Sequence, residues 1–467
     1  MEEKMNSYTT AKTCLLIALA FLATGSGFLT WVYHLREFYA AGQVDILTQV
    51  IGYPLQAAGL FAGSLMASRD LSLDDDGSVS IRLHSFTLFA CGWLALLGLS
   101  GFAPSGPVTL IFGYGMNFMI GLVASCYLIA LAAYADPKHT ALSFGAGYGA
   151  GSILSFLLSL PAGGTFLAQP YVYAIYAVFT AAMIAVYRSI VSHSDTQPTA
   201  YGSPETTGTD KQRRLLTVAA PVVILLSLVS SAGAFFPIAS AESSAISLEL
   251  SRAFYAVGLV AAGLISDKRR SVGAALCVAA LCFPFFSLTA AGSIGAADLL
   301  RVLGYIFFGF YAVYRVILYV DLSERFGVLR FACCGLMFGR LGDAAGAFIG
   351  IRLSGRPALL TAIIAAAFVI CIFLFFYLYR SLYMQPAATL RDRSLAFAET
   401  YGLSSRETQM LEMIVEGSSN KDIAAKLFIW ESTVKFHIRN LLKKTGCSNR
   451  SGLISLFNSK STTHHLG

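Results

Sequence analysis

Lys435, Arg439 and Lys443 recur at steps of four residues near the end of the chain, with Phe436 beside them. On a helix that spacing gathers long cationic side chains on one face, a pattern suited to the phosphates and guanine edges of a DNA major groove. A second charged set lies in apolar surroundings: Arg315 in FYAVYRVILY, and Arg340 with Asp343 in MFGRLGDAAGAF, the last two on one helix face. Two readings of this set stand. In one, an Arg–Asp pair neutralises itself between packed helices. In the other, Arg315 and Arg340 line a central cavity and bind an anionic or strongly polar small molecule, with Asp343 as counter-ion and Tyr311 and Tyr314 adding stacking or hydroxyl contacts. Asp343 as a proton carrier is a further option, although one acid is thin equipment for a proton-driven pump. The chain shows no Ser/His/Asp cluster, phosphate loop or metal-ligand spacing, so neither an enzyme nor a cofactor or metal is expected.

The elements that hold these residues follow from composition. An ordinary soluble chain is about 45–50% apolar and about 25% charged, whereas this one is 56% hydrophobic and 13% charged, with mean hydropathy +0.66. A bilayer core takes roughly 20 apolar residues per helix. Twelve runs qualify: 11–33, 43–67, 83–103, 107–134, 140–160, 168–188, 215–237, 246–266, 271–291, 297–320, 330–352 and 357–380. They fall six and six around HSDTQPTAYGSPETTGTDKQRR (193–214), whose Thr, Ser, Gly and Pro predict a flexible loop. MEEKMNSYTTAK leads into the first run without a small-residue cleavage site, which predicts a retained span. With the N-terminus inside, the inner segments hold seventeen Lys and Arg and the outer ones five, namely Arg36, Arg252, Arg301, Arg352 and Arg356. That bias predicts both termini on the cytoplasmic side of a bacterial inner membrane. The nine cysteines, among them Cys14, Cys91, Cys126, Cys277 and Cys371, fall in apolar runs without a Cys-x-x-Cys pair and are expected as buried small hydrophobes.

The halves repeat at an offset of 199 residues: GLFAGSLMAS (59–68) aligns with GLVAAGLISD (258–267), and Gly147-x-x-x-Gly151 with Gly346-x-x-x-Gly350. Such glycines let helix backbones approach closely where lipid offers no hydrophobic drive for packing. Two six-helix halves, a long central loop and GLISDKRR (263–270) after the eighth run together resemble the major facilitator superfamily. The resemblance implies a gating loop at Gly263, Asp267, Lys268 and Arg270, in which an acid at a helix end and the following cations hold the cytoplasmic side closed. The matching first-half loop departs from this, with Ser68 opposite Asp267 and an acidic run behind it.

From about residue 403 the character changes. Ser404 and Glu407 form a capping box before Met410, Leu411, Ile414 and Val415, and Gly417 ends that helix. A second helix spans SNKDIAAKL, capped by Ser419 or Asn420. After a three-residue turn comes ESTVKFHIRNLLKKTG, with Val434, Ile438, Leu441 and Thr445 as its buried stripe, and NRSGLISLF supplies a fourth helix. Residues 403–460 carry nine cations against five anions. In its order of motifs, including Arg406-Glu407, Gly417, Asn420-Lys421, Thr433-Val434-Lys435, His437, Asn440 and Asn449-Arg450, the segment closely resembles the LuxR-type helix-turn-helix. The resemblance implies that Lys435, Phe436 and Arg439 face bases, while Asn420, Lys421, Thr433, Lys443 and Arg450 hold the phosphate backbone of double-stranded promoter DNA. It also implies a homodimer on DNA through the last helix, Ser448 to Phe457, reading half-sites about one helical turn apart. Trp430 stands where the pattern usually has a capping serine, so Glu431 or Ser432 caps instead, or the indole offsets the loss by packing or touching DNA.

The expected fold is all-α: a polytopic membrane protein of twelve helices with a four-helix DNA-binding domain. Its expected layout is an N-terminal tail (1–10), a first membrane half (11–188), a central loop (189–214), a second half (215–380), a connector (381–402), the helix-turn-helix (403–460) and a short tail (461–467). The expected function is a membrane-bound one-component regulator that senses a small molecule and binds promoter DNA, or alternatively a secondary transporter that also regulates.

Overall fold

The computed structural model describes residues 2–70, 83–159, 170–192, 209–240, 248–283, 285, 294–384 and 390–463. Most of the expected central loop (193–208), the acidic first-half loop (71–82), much of the connector's start (385–389) and the end of the tail (464–467) lie outside the described residues. Every regular element among the described residues is helical, and the chain divides into two compact units, Met1–Tyr383 and Met384–Gly467.

In the first unit a helix falls on each apolar run: α1 (Glu2–Arg36), α2 (Gly52–Asp70), α3 (Leu83–Gly101), α4 (Gly106–Tyr134), α5 (Thr140–Ser159), α6 (Val172–Ser192), α7 (Thr209–Ser240), α8 (Leu248–Lys268), α9 (Arg270–Ala280), α10 (Ile294–Phe326), α11 (Cys334–Arg352) and α12 (Pro357–Tyr383). Helices are the solution apolar runs must adopt in lipid, because every backbone polar group is then satisfied within its own segment. Among the described residues nine of these elements are long and apolar enough to cross a membrane. α2 packs on α11 and α8 on α5, so both lie on the seam between the halves.

Those two seam contacts are related by symmetry, since adding six to each helix of the pair α2 and α11, counted cyclically, gives α8 and α5. The repeat read from the sequence has a structural counterpart in this arrangement. A Cβ on Gly59 would run into the Phe118 carbonyl of α4, and one on Gly258 into the Ile306 carbonyl of α10. Likewise Gly147 lies against the Cys14 carbonyl of α1, and Gly346 against the Leu228 carbonyl of α7. The main core crosses the seam, joining Leu16, Leu128 and Phe144 of the first half to Leu259, Val316 and Leu336 of the second.

Cys126, Cys277, Cys333 and Cys371 are buried as expected, but Cys91 is exposed and Cys14 only partly covered. An apolar run does not distinguish the two faces of a membrane helix, since the face toward lipid is as hydrophobic as the face toward protein.

The second unit comprises α13 (Leu390–Tyr401), α14 (Ser405–Val415), α15 (Asn420–Leu427), α16 (Glu431–Thr445) and α17 (Arg450–Thr463). Its core is Phe397, Met410, Leu411, Ile414, Ile423, Val434, Leu441, Leu453 and Phe457, all from residues 397–457. Helix α13, within the stretch expected as connector, belongs to this core: Phe397 meets Phe457 edge-on at 5.4 Å between ring centroids. The tail thus has a self-contained core with its own caps, the requirements for folding by itself.

Candidate functional site

Asp343 is the hub of the charged cluster in the membrane unit. Its Oδ2 lies 3.0 Å from Arg315 Nη1 and 3.7 Å from Arg340 Nη1, and its Oδ1 accepts a hydrogen bond from the Tyr311 hydroxyl at 3.1 Å. α10 supplies Tyr311 and Arg315, one turn apart, and α11 supplies Arg340 and Asp343. Gly335 and Gly339 let the two helices meet here, because a Cβ at either would collide with Arg315. Arg315 and Asp343 are buried, whereas Arg340 keeps 19% of its side chain accessible. The Arg315 guanidinium also lies 4.9 Å from the centre of the Tyr311 ring, and the Arg340 guanidinium 4.8 Å from that of Tyr53. Ser231 of α7 donates to the Asp343 carbonyl at 2.9 Å, fixing α11 at the level of the cluster.

Two guanidinium groups share one carboxylate, so a positive charge is left over in a low-dielectric setting, and the buried Arg315 Nε has no hydrogen-bond partner among the described residues. Buried ionisable groups are costly there and mark functional positions by default. The structure brings Tyr311, Arg315, Arg340 and Asp343 together. Tyr314 points elsewhere, packing at 5.8 Å against Phe375 of α12. Tyr53 and Ser231 had no signal in the sequence: Tyr53 is an ordinary aromatic residue until α2 is placed against α11.

At one end of the unit, Asp267 caps a helix of the opposite half. Its two carboxylate oxygens accept the backbone N–H groups of Ala141 and Leu142, at the start of α5, at 2.9 and 2.8 Å. Arg270 holds the same carboxylate at 2.8 Å, donates to the Pro137 carbonyl at 3.2 Å and lies 3.3 Å from Asp321. Gly263 permits the approach, since a Cβ there would meet Ala141 and Leu142. Lys268 is exposed. The symmetry-related helix start, at α11, has Cys333 as N-cap with no side-chain cap hydrogen bond. The side chain of Ser68 lies outside the described residues.

In the tail, Ser404 and Glu407 form a reciprocal capping box, and so do Ser419 and Asp422, which settles Ser419 as the cap of α15. Glu407 is buried, and burial opposes its ionisation. Hydrogen bonds from Lys444 at 2.8 Å and from the Ser404 backbone at 2.7 Å outweigh that effect and hold its carboxyl below the ordinary range. Lys444 is one of the nine cations of residues 403–460 and carries no local signal of this partnership. Arg450 is turned inward, donating to the Ser418 carbonyl at 2.5 Å and the Ile414 carbonyl at 3.4 Å, with Asn420 Oδ1 at 3.5 Å. On α16, Val434 and Leu441 face the core while Lys435, Phe436, Arg439 and Lys443 are exposed. Lys435 pairs with Glu431 at 2.9 Å. Thr433 is partly buried, and Lys421 is exposed at the start of α15. Trp430 has N-cap geometry, φ −73° and ψ 146°, but its side chain caps nothing.

A helical unit with membrane-crossing helices followed by a helix-turn-helix tail is the class the two units define. Residues 402–457 match the family described as bacterial regulatory proteins, luxR family, so the tail is a LuxR-type domain. It is similar to a nitrate/nitrite response regulator protein homolog of Haemophilus influenzae, 53% identical over 55 residues, covering 12% of this chain and 26% of that protein. NarP of Escherichia coli, a nitrate/nitrite response regulator, is 44% identical over 71 residues, covering 15% of this chain and 33% of its own. The chain thus spans a quarter to a third of the length of these curated relatives. The membrane unit shares its fold with solved transporters. The human organic anion transporter MFSD10 aligns with TM-score 0.57 and 15% identity over 79% of this chain and 99% of its own. The Escherichia coli fucose:proton symporter FucP aligns with TM-score 0.55 and 12% identity over 80% and 98%. At such identities the likeness is one of fold, of the major facilitator type.

Proposed function

We propose that this protein is a membrane-bound one-component transcriptional regulator: the transporter-fold unit senses a small molecule, and the LuxR-type tail answers at promoter DNA. The observation that carries this reading is the union, in one chain, of a transporter fold and a DNA-reading domain whose Arg439 and Lys443 stand exposed without an ion-pair partner among the described residues. The seventeen-to-five bias of Lys and Arg supports an inner-membrane location with both termini cytoplasmic, where the tail has access to DNA. Base contacts are assigned to Lys435, Phe436 and Arg439, and phosphate contacts to Asn420, Lys421, Thr433 and Lys443. Arg450, held by three internal acceptors, serves the phosphates chiefly by shaping the turn before α15. Two such tails pair on a two-fold-symmetric site.

For the ligand, the unbalanced cation of the Arg315–Asp343–Arg340 cluster favours an anionic or strongly polar molecule, with Arg340 as the accessible contact. Coupling requires that the ligand bind two conformations of the membrane unit with different affinity. Expression profiling of neighbouring genes in a deletion strain, with and without candidate anions, tests the whole reading; no response to any compound, with DNA binding intact, overturns the sensor. One observation favours the transporting alternative: the Asp267 clamp ties the halves at one end of the unit, as a gate would. Uptake into vesicles that is lost in Arg340→Ala would establish that reading instead.

A further inference from the structure

The turn between α15 and α16 exposes two large aromatic side chains among the described residues of the tail unit. Phe428 is 95% and Trp430 83% accessible, while Ile429 between them turns back onto the core. Phe436 follows at 56%. Phe428 also has φ +53°, the left-handed region that Asn or Gly adopts more readily. Trp430 occupies an N-cap position without capping. Both residues therefore forgo local stability and leave apolar surface in water, and this combination needs a partner to offset it.

On the helix that follows this turn, Arg439 and Lys443 are exposed. Exposed Trp and Phe next to cations match the interface of an anionic bilayer, where rings insert at headgroup depth and Lys and Arg meet lipid phosphates. Chain connectivity favours this occupant over others: seven residue steps link Tyr383, the end of the last membrane helix, to Leu390, the start of α13. So short a tether keeps the lipid surface at high effective concentration.

We propose that Phe428 and Trp430, with Arg439 and Lys443, form a docking surface for anionic lipid headgroups, and that DNA and the bilayer compete for the same face of the tail. The proposal uses the DNA-reading assignment only for the competition; lipid docking stands or falls without it. Docking holds the reader against the membrane until promoter DNA, or a ligand-driven change in the membrane unit, draws it away.

Trp430 is the only tryptophan after residue 93, so the tail unit (384–467) reports its own docking. Vesicles containing phosphatidylglycerol should shift its emission to the blue and carry the unit down on sedimentation. Phosphatidylcholine vesicles should do neither, and excess duplex DNA should release the bound protein. The double variant Phe428→Asn with Trp430→Ser puts at each position a residue suited to the local backbone, so folding is retained. It should lose about tenfold in vesicle affinity, roughly the equivalent of 1.4 kcal/mol. Unchanged sedimentation of the double variant overturns the proposal, and so does equal binding to phosphatidylcholine. An emission change with duplex DNA but none with anionic vesicles overturns it too, and reassigns the two rings to DNA contact.

Discussion

Asp267 and Ala141 join the two halves of the membrane unit: a carboxylate at the end of α8 accepts the backbone N–H at the start of α5, 2.9 Å away, with Leu142 held by the second oxygen. Negative charge at a helix N-terminus meets both unsatisfied amides and the positive end of the dipole. The position is thus a helix cap supplied from the other half of the molecule.

Asp267→Asn should therefore lower the thermal stability of the purified protein in detergent, by about 1.5–3 kcal/mol for loss of charged hydrogen bonds. Lys268→Ala, at an exposed neighbour, should leave it nearly unchanged. Thermal unfolding of both variants side by side checks the pair, and an equal loss in the two would mean that net charge, rather than the cap, matters.

Asp343 presents a harder test. Its replacement by Asn leaves Arg315 and Arg340 without a carboxylate in a buried setting, and breaking such a cluster by removing one partner costs about 3–5 kcal/mol. Tyr311→Phe removes a single hydrogen bond to the same charged carboxylate and should cost about 1.5–3 kcal/mol. Tyr314→Phe, at a ring packed on Phe375, should cost less than either. The ranking, read from unfolding midpoints, is the expected outcome.

How much of this was legible before the structure depends on the range of the interaction. The capping box of Ser404 with Glu407 and the stripe of Val434, Ile438, Leu441 and Thr445 are local patterns; the box is present as read, and the stripe is buried except at Ile438, which is partly covered. The repeat glycines were legible as a pattern but not as contacts, since nothing in Gly59 names Phe118 as its neighbour. Partners brought together by the fold left no trace: Tyr53 over Arg340, Ala141 against Asp267 and Lys444 on Glu407 each join positions with no common spacing. Tyr314 shows the opposite case, where proximity in sequence to Arg315 suggested a shared site and the helix turned its ring toward α12.

Glu407 gives the tail a pH dependence whose sign can be derived. Its carboxyl titrates below the ordinary range in the folded tail, so the folded state binds protons less readily than the unfolded one. The resulting stability is present above the unfolded-state value and is lost as pH falls toward the folded one. Urea unfolding of residues 384–467 should show a falling midpoint as the medium is acidified below the ordinary carboxylate range. Glu407→Gln should be less stable at neutral pH and should flatten that acid limb, and Lys444→Met should weaken it in the same direction.

At Trp430 the backbone already has the extended conformation that an N-cap requires, while the indole can accept no hydrogen bond from the first turn of α16. Thr433 N–H bonds instead to the Trp430 carbonyl at 2.9 Å, a bond any residue would offer. A serine there would add a side-chain acceptor without moving the chain, and a good cap is worth typically about 1 kcal/mol. Trp430→Ser should therefore raise the urea midpoint of the tail and leave its binding to promoter DNA intact. A lowered midpoint would mean that the exposed ring packs in solution. A gain in stability with normal DNA binding would show that this position is kept aromatic for a surface other than the domain's own core.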